Sequence, residues 1–381
     1  MNAVPQDVLA ICGDIKKKGG RRKVKKAIKR GIIIVLVLAA LLGGYAAYVF
    51  KTYYRLPDML TLEVKRNGEN SDFENGFKVS PGGAYFIMTY NIGFGAYRSD
   101  YSFFMDGGKS SWGKDEESVI AAVCSMGDIV STVNPDFVLL QEVDIDGTRS
   151  YHTNQLELMN QFLEGYYYDF AQNYDSPFLF FPPWEPHGAN QAGIATYARA
   201  EITDAMRRSL PISESFSKLV DLDRCYSISR IPVENGFNLC IYNVHTSAYG
   251  GSDEIREAQL ATLYEDMAFD YKRGNYVICG GDFNHNLKAG AQENAPEWAY
   301  PFPRESLPEG FHMAIDAAMK ESVEHNTCRS AETPYDEETT YTVTLDGFIV
   351  SDNVQVNFYQ HMDWGYEFSD HDPVLMQFIL E

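Results

Sequence analysis

The sequence predicts an α/β chain, two mixed β-sheets packed face to face and flanked by helices, preceded by one transmembrane helix. Three observations lead there. Residues 31–50 carry no charge over twenty positions. From Ala84 to Glu381, short apolar runs of strand length alternate with amphipathic helical segments. Some of those runs are joined by a tight turn and others by a helix, so strands pair both ways, and sheets of that kind are buried by packing on each other and under helices.

The first 30 residues are a basic tail. Seven Lys and three Arg stand there against Asp7 and Asp14, a balance of +8. The chain totals −21, which leaves −29 for residues 31–381. The apolar run 31–50, GIIIVLVLAALLGGYAAYVF, follows. At ~1.5 Å per residue it spans the roughly 30 Å hydrocarbon core of a bilayer. The basic excess before it places that end in the cytoplasm and everything after Lys51 outside. A cleaved secretory signal is the rival reading, but its apolar region would be unusually long, and Ala46 and Ala47 make a poor cleavage site. An uncleaved signal-anchor is expected. Residues 51–83, polar and Gly/Asn-rich after Leu60, read as a stalk into one domain, 84–381.

Within that domain AYFIMTYNI (84–92) reads as a strand, 116–133 as a helix, PDFVLLQEV (135–143) as a buried strand and 151–164 as a helix. CYSISRIPV (225–233) and FNLCIYNV (237–244) flank Asn235-Gly236, a strong hairpin signal. Ser252 caps a helix to about Arg273, ended by Gly274. NYVICGGDF (275–283) is the next strand, and residues 285–340 are Pro-, Glu- and Asn-rich with a helical patch at 312–320. LDGFIVS (345–351), a strand near 353–360 and PVLMQFIL (373–380) close the chain.

Composition narrows the function. A protein that grips nucleic acid through its phosphates needs a basic surface. A balance of −29 disfavours a nuclease and favours a small or weakly charged substrate. Six cysteines form no CxxC pair, which argues against a zinc–thiolate site. Cys225 and Cys240 flank the hairpin and could bridge, but with five cysteines in the domain, two of them in apolar runs, buried free thiols are expected.

Polar residues recur at the C-terminal ends of the predicted strands: Asn91, Glu142, Asp282 with Asn284, and Asp346. Each alone has an ordinary explanation, a turn residue or a solvated strand end. Glu142 is harder to dismiss, because a carboxylate ending an apolar strand is costly unless paired or on a metal. SDHDPV (369–374) sets two Asp around His371, and a carboxylate beside an imidazole raises its pKa and fixes its tautomer.

In this order, MTYNIGFG, LLQEVD, NVHTSA, GGDFN, LDGFIVS and SDHDP resemble the successive motifs of the endonuclease/exonuclease/phosphatase superfamily, from about Tyr85 to the C-terminus. The resemblance implies a four-layer sandwich with a phosphoester-hydrolysing site on one rim. It makes Glu142 the main Mg²⁺ ligand (Mn²⁺ the alternative), with Asn91 beside it and Asp370 contributing. Asp282 would orient or deprotonate water, and Asn284 would hold a phosphate oxygen. His371, paired with Asp346, would stabilise phosphoryl charge or protonate the leaving group, and His245 would be a second phosphate-facing imidazole. Arg199, Arg224 and Arg230 are candidate phosphate contacts. The aromatics Phe178, Phe180, Phe181 and Trp184 would meet a lipid or sugar, or simply pack in the core. The expected protein is a monomeric, membrane-anchored, extracytoplasmic Mg²⁺-dependent phosphoesterase of a lipid or small molecule. An exported nuclease and an inactive binding module are the alternatives.

Overall fold

The computed structural model describes residues 6–52, 54–68, 77–212, 223–247, 253–290, 296 and 298–381, with residues 6–22 described by backbone alone. Ser252, the expected helix cap, lies outside the described residues. The chain divides into two units, Met1–Tyr53 and Tyr54–Glu381.

The first unit is one helix, α1 (Gln6–Thr52), so the basic tail and the apolar run share a single element. Its part Lys23–Thr52 is long and apolar enough to cross a membrane, with an 18-residue window of mean hydropathy 2.5. Ile32 to Leu38 are all exposed, as a helix apolar on every face must be without a protein partner.

The second unit begins earlier than a stalk would allow. Arg55 donates from Nη2 to Leu210 O, and its Nε lies 3.5 Å from Asp223. The short strands β1 (Leu60–Thr61) and β2 (Lys65–Arg66) join the sheet edges. Then come β3 (Ala84–Asn91), α2 (Glu116–Val133), β4 (Phe137–Gly147), α3 (Gln155–Asn160), β5 (Tyr167–Asp175), β6 (Asn190–Ala198) and β7 (Asp204–Ser209). The hairpin β8 (Cys225–Pro232) and β9 (Asn238–His245) follows, then α4 (Asp253–Lys272), β10 (Tyr276–Asp282), β11 (Phe311–Met313), β12 (Cys328–Arg329) and β13 (Thr342–Val343). The chain ends with β14 (Asp346–Ser351), β15 (Val354–His361) and β16 (Val374–Leu380).

One sheet runs β1-β7-β8-β9-β10-β14-β11 and the other β15-β16-β3-β4-β6-β5-β2. Val119, Val123, Met126 and Val130 of α2 are buried, and most of that face packs on Met88, Val138 and Leu140 of the second sheet. Each such side chain contributes about 1.5–3 kcal/mol by leaving water. Leu260, Leu263 and Met267 of α4 close the first sheet. The sheets approach closely at Gly280, where an added Cβ would lie 2.4 Å from Phe348 and 2.8 Å from Leu139. Helix, sheet, sheet, helix is the four-layer order expected.

Helix α2 matches its prediction because its ends are written locally: the Asp115 side chain accepts from Ser118 N, and Asn134 stops the helix in the left-handed region. The helix expected over 151–164 shrinks to six residues. Tyr151 and His152 both have positive φ, so no helix can start before the Asn154 cap. The patch at 312–320 is the edge strand β11, hydrogen-bonded to β14, followed by a 3-10 turn, Ala314–Ala317. Cys225 lies opposite His245 and Cys240 opposite Arg230, too far along the hairpin to bridge; all five described cysteines are free.

Candidate active site

Direction of strands, more than order in sequence, assembles one rim. β3 runs parallel to β4, and β9 runs parallel to β10; Asn91, His245 and Asp282 end their strands on this edge, while Glu142 lies inside β4, one residue past Gln141, which pairs with Asn91. β14 is antiparallel to β10 with Asp346 opposite Asp282, so Asp346 stands at the start of its strand, not the end. β16 is antiparallel to β3, which brings Asp370 and His371 to that edge as well.

Two local distortions aim the side chains. The β4–β6 register shifts between Leu140 and Val143, and Glu142 inside that bulge has φ of 55°. A bulge re-aims one side chain out of the alternation, and positive φ on a non-glycine residue marks a functional constraint. In the GGD segment, Gly281 has φ of +142°, and a Cβ there would sit 2.0 Å from Val244 O. Only glycine lets β10 lie this close to β9 and deliver Asp282.

Asp282 is the focus. Its Oδ2 accepts from Asn91 Nδ2 at 3.0 Å, and lies 3.5 Å from His245 Nε2 and 3.8 Å from His371 Nε2. Its Oδ1 accepts from the backbone N of Asn284 at 2.8 Å. Burial pushes its pKa up; His371 opposes that and Asp346 adds to it. His371 Nδ1 lies 2.7 Å from Asp346 Oδ2. Burial works against a charged imidazole there, but the Asp346 carboxylate holds the His371 pKa well above the usual value. His245 is the reverse: burial, then Arg224 and His371, depress it well below, so it is neutral. Its Nε2 lies 3.9 Å from Glu142 Oε1 and faces carboxylates, which makes Nε2 the donor; the buried Nδ1 has no hydrogen-bond partner. The two imidazoles of one site therefore differ in charge.

Several expectations need revision. Asn91 uses both ends of its amide on the protein, Nδ2 on Asp282 and Oδ1 on Gly93 N, so it orients Asp282, with one lone pair of Oδ1 left over. Asn284 donates from Nδ2 to Thr246 O, which leaves its amide oxygen for other contacts. Arg199 binds Asp136, Asn134 and Tyr166 beside the start of β4, at the opposite rim. Arg230 pairs with Asp204 and Asp270, also remote, because it sits at the turn end of the hairpin. Arg224 alone of the three is placed as expected. It precedes Cys225, opposite His245, and its Nε and Nη1 are buried without a hydrogen-bond partner.

The rim opens into a cleft of about 970 Å³ that Glu142, His245, Asp282, Asn284, Asp370, His371 and Arg224 line. Residues with no strand-end signal complete it. Arg149 is clamped by Asp144 through two hydrogen bonds, 3.1 and 2.7 Å, under the Phe94 ring. From the Pro-rich stretch come Trp298, Tyr300 and Arg329.

The donor set fits a hard cation. Burial is the main cause that raises the carboxyls of Glu142, Asp282 and Asp370, the last to about 7. Glu142 adds to the rise at Asp370, a repulsion that a bound cation would relieve, and oxygen ligands with room for water suit Mg²⁺. Among the described residues Asp282, Asp346 and His371 also bring donor atoms within 4.8 Å of one another. The 2.7 Å contact with Asp346 already occupies His371 Nδ1.

The model of the Endonuclease/Exonuclease/phosphatase family matches residues 88–371. The chain belongs to this family. Its members are phosphoesterases or nucleases and generally depend on a divalent metal. Solved structures with this fold include a family protein from Beutenbergia cavernae, at 15% identity and TM-score 0.54, with 78% of this chain and 72% of that one covered. Another, from Bacteroides thetaiotaomicron, has 16% identity and TM-score 0.52, covering 78% and 96%. A mannosyl-6-phosphatase of Bacteroides thetaiotaomicron has 16% identity and TM-score 0.50, covering 78% and 100%. Among curated protein sequences none matches.

Proposed function

We propose that the domain is a Mg²⁺-dependent phosphoesterase, anchored by α1 outside the cytoplasm, that hydrolyses a phosphoester of a small molecule or lipid. The observation that carries this is the convergence on Asp282 Oδ2 of Asn91, His245 and His371, beside Arg224, whose buried Nε and Nη1 have no hydrogen-bond partner among the described residues. Asp282, held by Asn91 and Asn284 N, orients the attacking water and takes its proton. Glu142 and Asp370 would hold the metal, which neutralises charge on the phosphoryl oxygens when bound. Arg224 binds a phosphoryl oxygen by a charge-assisted hydrogen bond. The charged His371, fixed by Asp346, donates from Nε2 to the phosphoryl group or the leaving oxygen. Neutral His245 donates from Nε2 and keeps the carboxylates in position.

A nuclease is less well supported. Four arginines line the cleft, but Asp106, Glu142, Asp282, Glu332 and Asp370 line it too, so among the described residues the lining is not predominantly basic. The likeness to a mannosyl-6-phosphatase is one of fold alone and does not choose monoester over diester. Detergent-solubilised full-length protein should hydrolyse bis(4-nitrophenyl) phosphate or 4-nitrophenyl phosphate with Mg²⁺ and stop on chelation. Absence of metal-dependent turnover on either, and on DNA, sinks the reading.

A further inference from the structure

Beside the catalytic rim the cleft changes character. Two loops, around Phe103–Asp106 and Leu179–His187, form a wall that is mainly apolar inside, Asp106 and His187 apart, and apolar at its crest. Phe104, Leu179 and Phe181 line the cleft itself. At the crest Phe180 is 58% exposed and Trp184 67%, and the cleft residues Phe181 and Met105 are themselves 65% and 50% exposed. Large apolar side chains scattered singly on a surface need no explanation; several together at the mouth of a site do.

This crest is a built feature. The Phe104 and Phe181 rings meet edge to face at 5.8 Å. Trp184 Nε1 donates to Lys109 O at 3.2 Å, and the Glu185 carboxylate accepts from Ser111 N and Trp112 N. The protein thus holds aromatic side chains in water at the edge of a phosphoester site.

We propose that this crest seats on a lipid bilayer, so that the apolar wall receives the hydrocarbon part of a phosphoester drawn from that surface. The proposal rests on the phosphoesterase reading and names its substrate class. A bilayer is the favoured occupant for two reasons. The apolar helix ends at Thr52 and the domain's own hydrogen bonds begin at Arg55, so a membrane holding that helix lies within a few residues' reach of the domain. The balance of −29 after residue 30 gives the domain no overall attraction to an anionic surface, so apolar insertion is the favoured mode, with Trp suited to the interface.

The four tryptophans, Trp112, Trp184, Trp298 and Trp364, all lie outside α1, so their fluorescence reports the domain and not the anchor. The full-length chain is reconstituted in phosphatidylcholine vesicles with plain or brominated acyl chains. Brominated lipid should quench the wild type, Trp184→Phe should lose most of that quenching, and Phe180→Asp should lose it with Trp184 still present. Equal emission in both lipids, or quenching unchanged by both substitutions, overturns the proposal. So does emission that responds to soluble saccharide and not to lipid, which would make the crest a sugar platform. Metal-dependent hydrolysis of bis(4-nitrophenyl) phosphate and 4-nitrophenyl phosphate by the same wild-type vesicles is read in parallel. Its absence strikes the phosphoesterase reading and leaves the quenching result standing by itself.

Discussion

Asn91 and Asp282, 191 residues apart in the chain, share one buried hydrogen bond of 3.0 Å that joins the two sheets at the rim. It fixes which Asp282 oxygen faces the cleft. Asn91→Ala should lower kcat by roughly 10- to 100-fold with little change in KM, because it removes orientation and not binding. Steady-state kinetics on a soluble phosphoester checks this; a raised KM at unchanged kcat would place Asn91 in substrate binding instead.

His371 and Asp346 should act as a unit. Asp346→Asn leaves the ring in place but removes the charge that favours imidazolium, and kcat should fall about 10²- to 10⁴-fold. The double variant with His371→Ala should be no worse than His371→Ala alone, since groups that act together are not additive. Multiplying losses would separate their roles.

Arg224 has a guanidinium prepared for an anion and no protein partner at Nε or Nη1. Arg224→Gln should cost about 1.5–3 kcal/mol of transition-state binding, roughly 10- to 100-fold in kcat/KM. Arg224→Lys should recover only part of it, because an ammonium lacks the fork. Full activity in the Gln variant would exclude a phosphoryl contact.

A metal held by Glu142 should stabilise the fold as well as the reaction. At 100 times its dissociation constant a ligand adds about 2.7 kcal/mol to stability. The thermal midpoint of the wild type should therefore rise with Mg²⁺ or Mn²⁺, and that of Glu142→Gln should respond much less. Identical shifts in both would remove Glu142 from the ligand set.

Asp169 gives a pH dependence remote from the rim. Burial between the sheets raises its pKa to about 7, against the hydrogen bond from Ser229. The folded state therefore holds a proton that the unfolded chain, near 3.8, has released. Stability on this account is greatest below about pH 4 and falls as pH rises to about 7. Asp169→Asn, which cannot ionise, should gain on the wild type between pH 5 and pH 8 in urea midpoints. A constant difference across that range would mean the carboxyl does not titrate there.

Much of the site was legible before any coordinates, because catalysis is concentrated in short segments whose residue types are chemically unusual at strand ends. LLQEVD, GGDFN and SDHDP are such segments. Helix α2 was legible because its cap and its stop lie within its own sequence. The short helix at 155–160 was not, since the positive φ of Tyr151 and His152 is imposed by the loop that carries Arg149. Arg199, Arg224 and Arg230 look alike in sequence. Strand direction decides among them: Arg224 lies beside His245 at the rim, and the other two meet carboxylates at the far end.

The sequence by itself determined the family, the two-sheet architecture, the apolar N-terminal helix and the acidic, amide and imidazole groups of the rim. These follow from local periodicity and from residue chemistry, which need no distant partner. Only the tertiary structure decided that Asn91 orients Asp282, that His245 and His371 differ in charge, and that Phe181 joins the cleft while Trp184 stands at its edge. Each depends on which side chains meet across two sheets, and on how much water they keep, and contacts between residues 191 positions apart are fixed by packing rather than by neighbours in the chain.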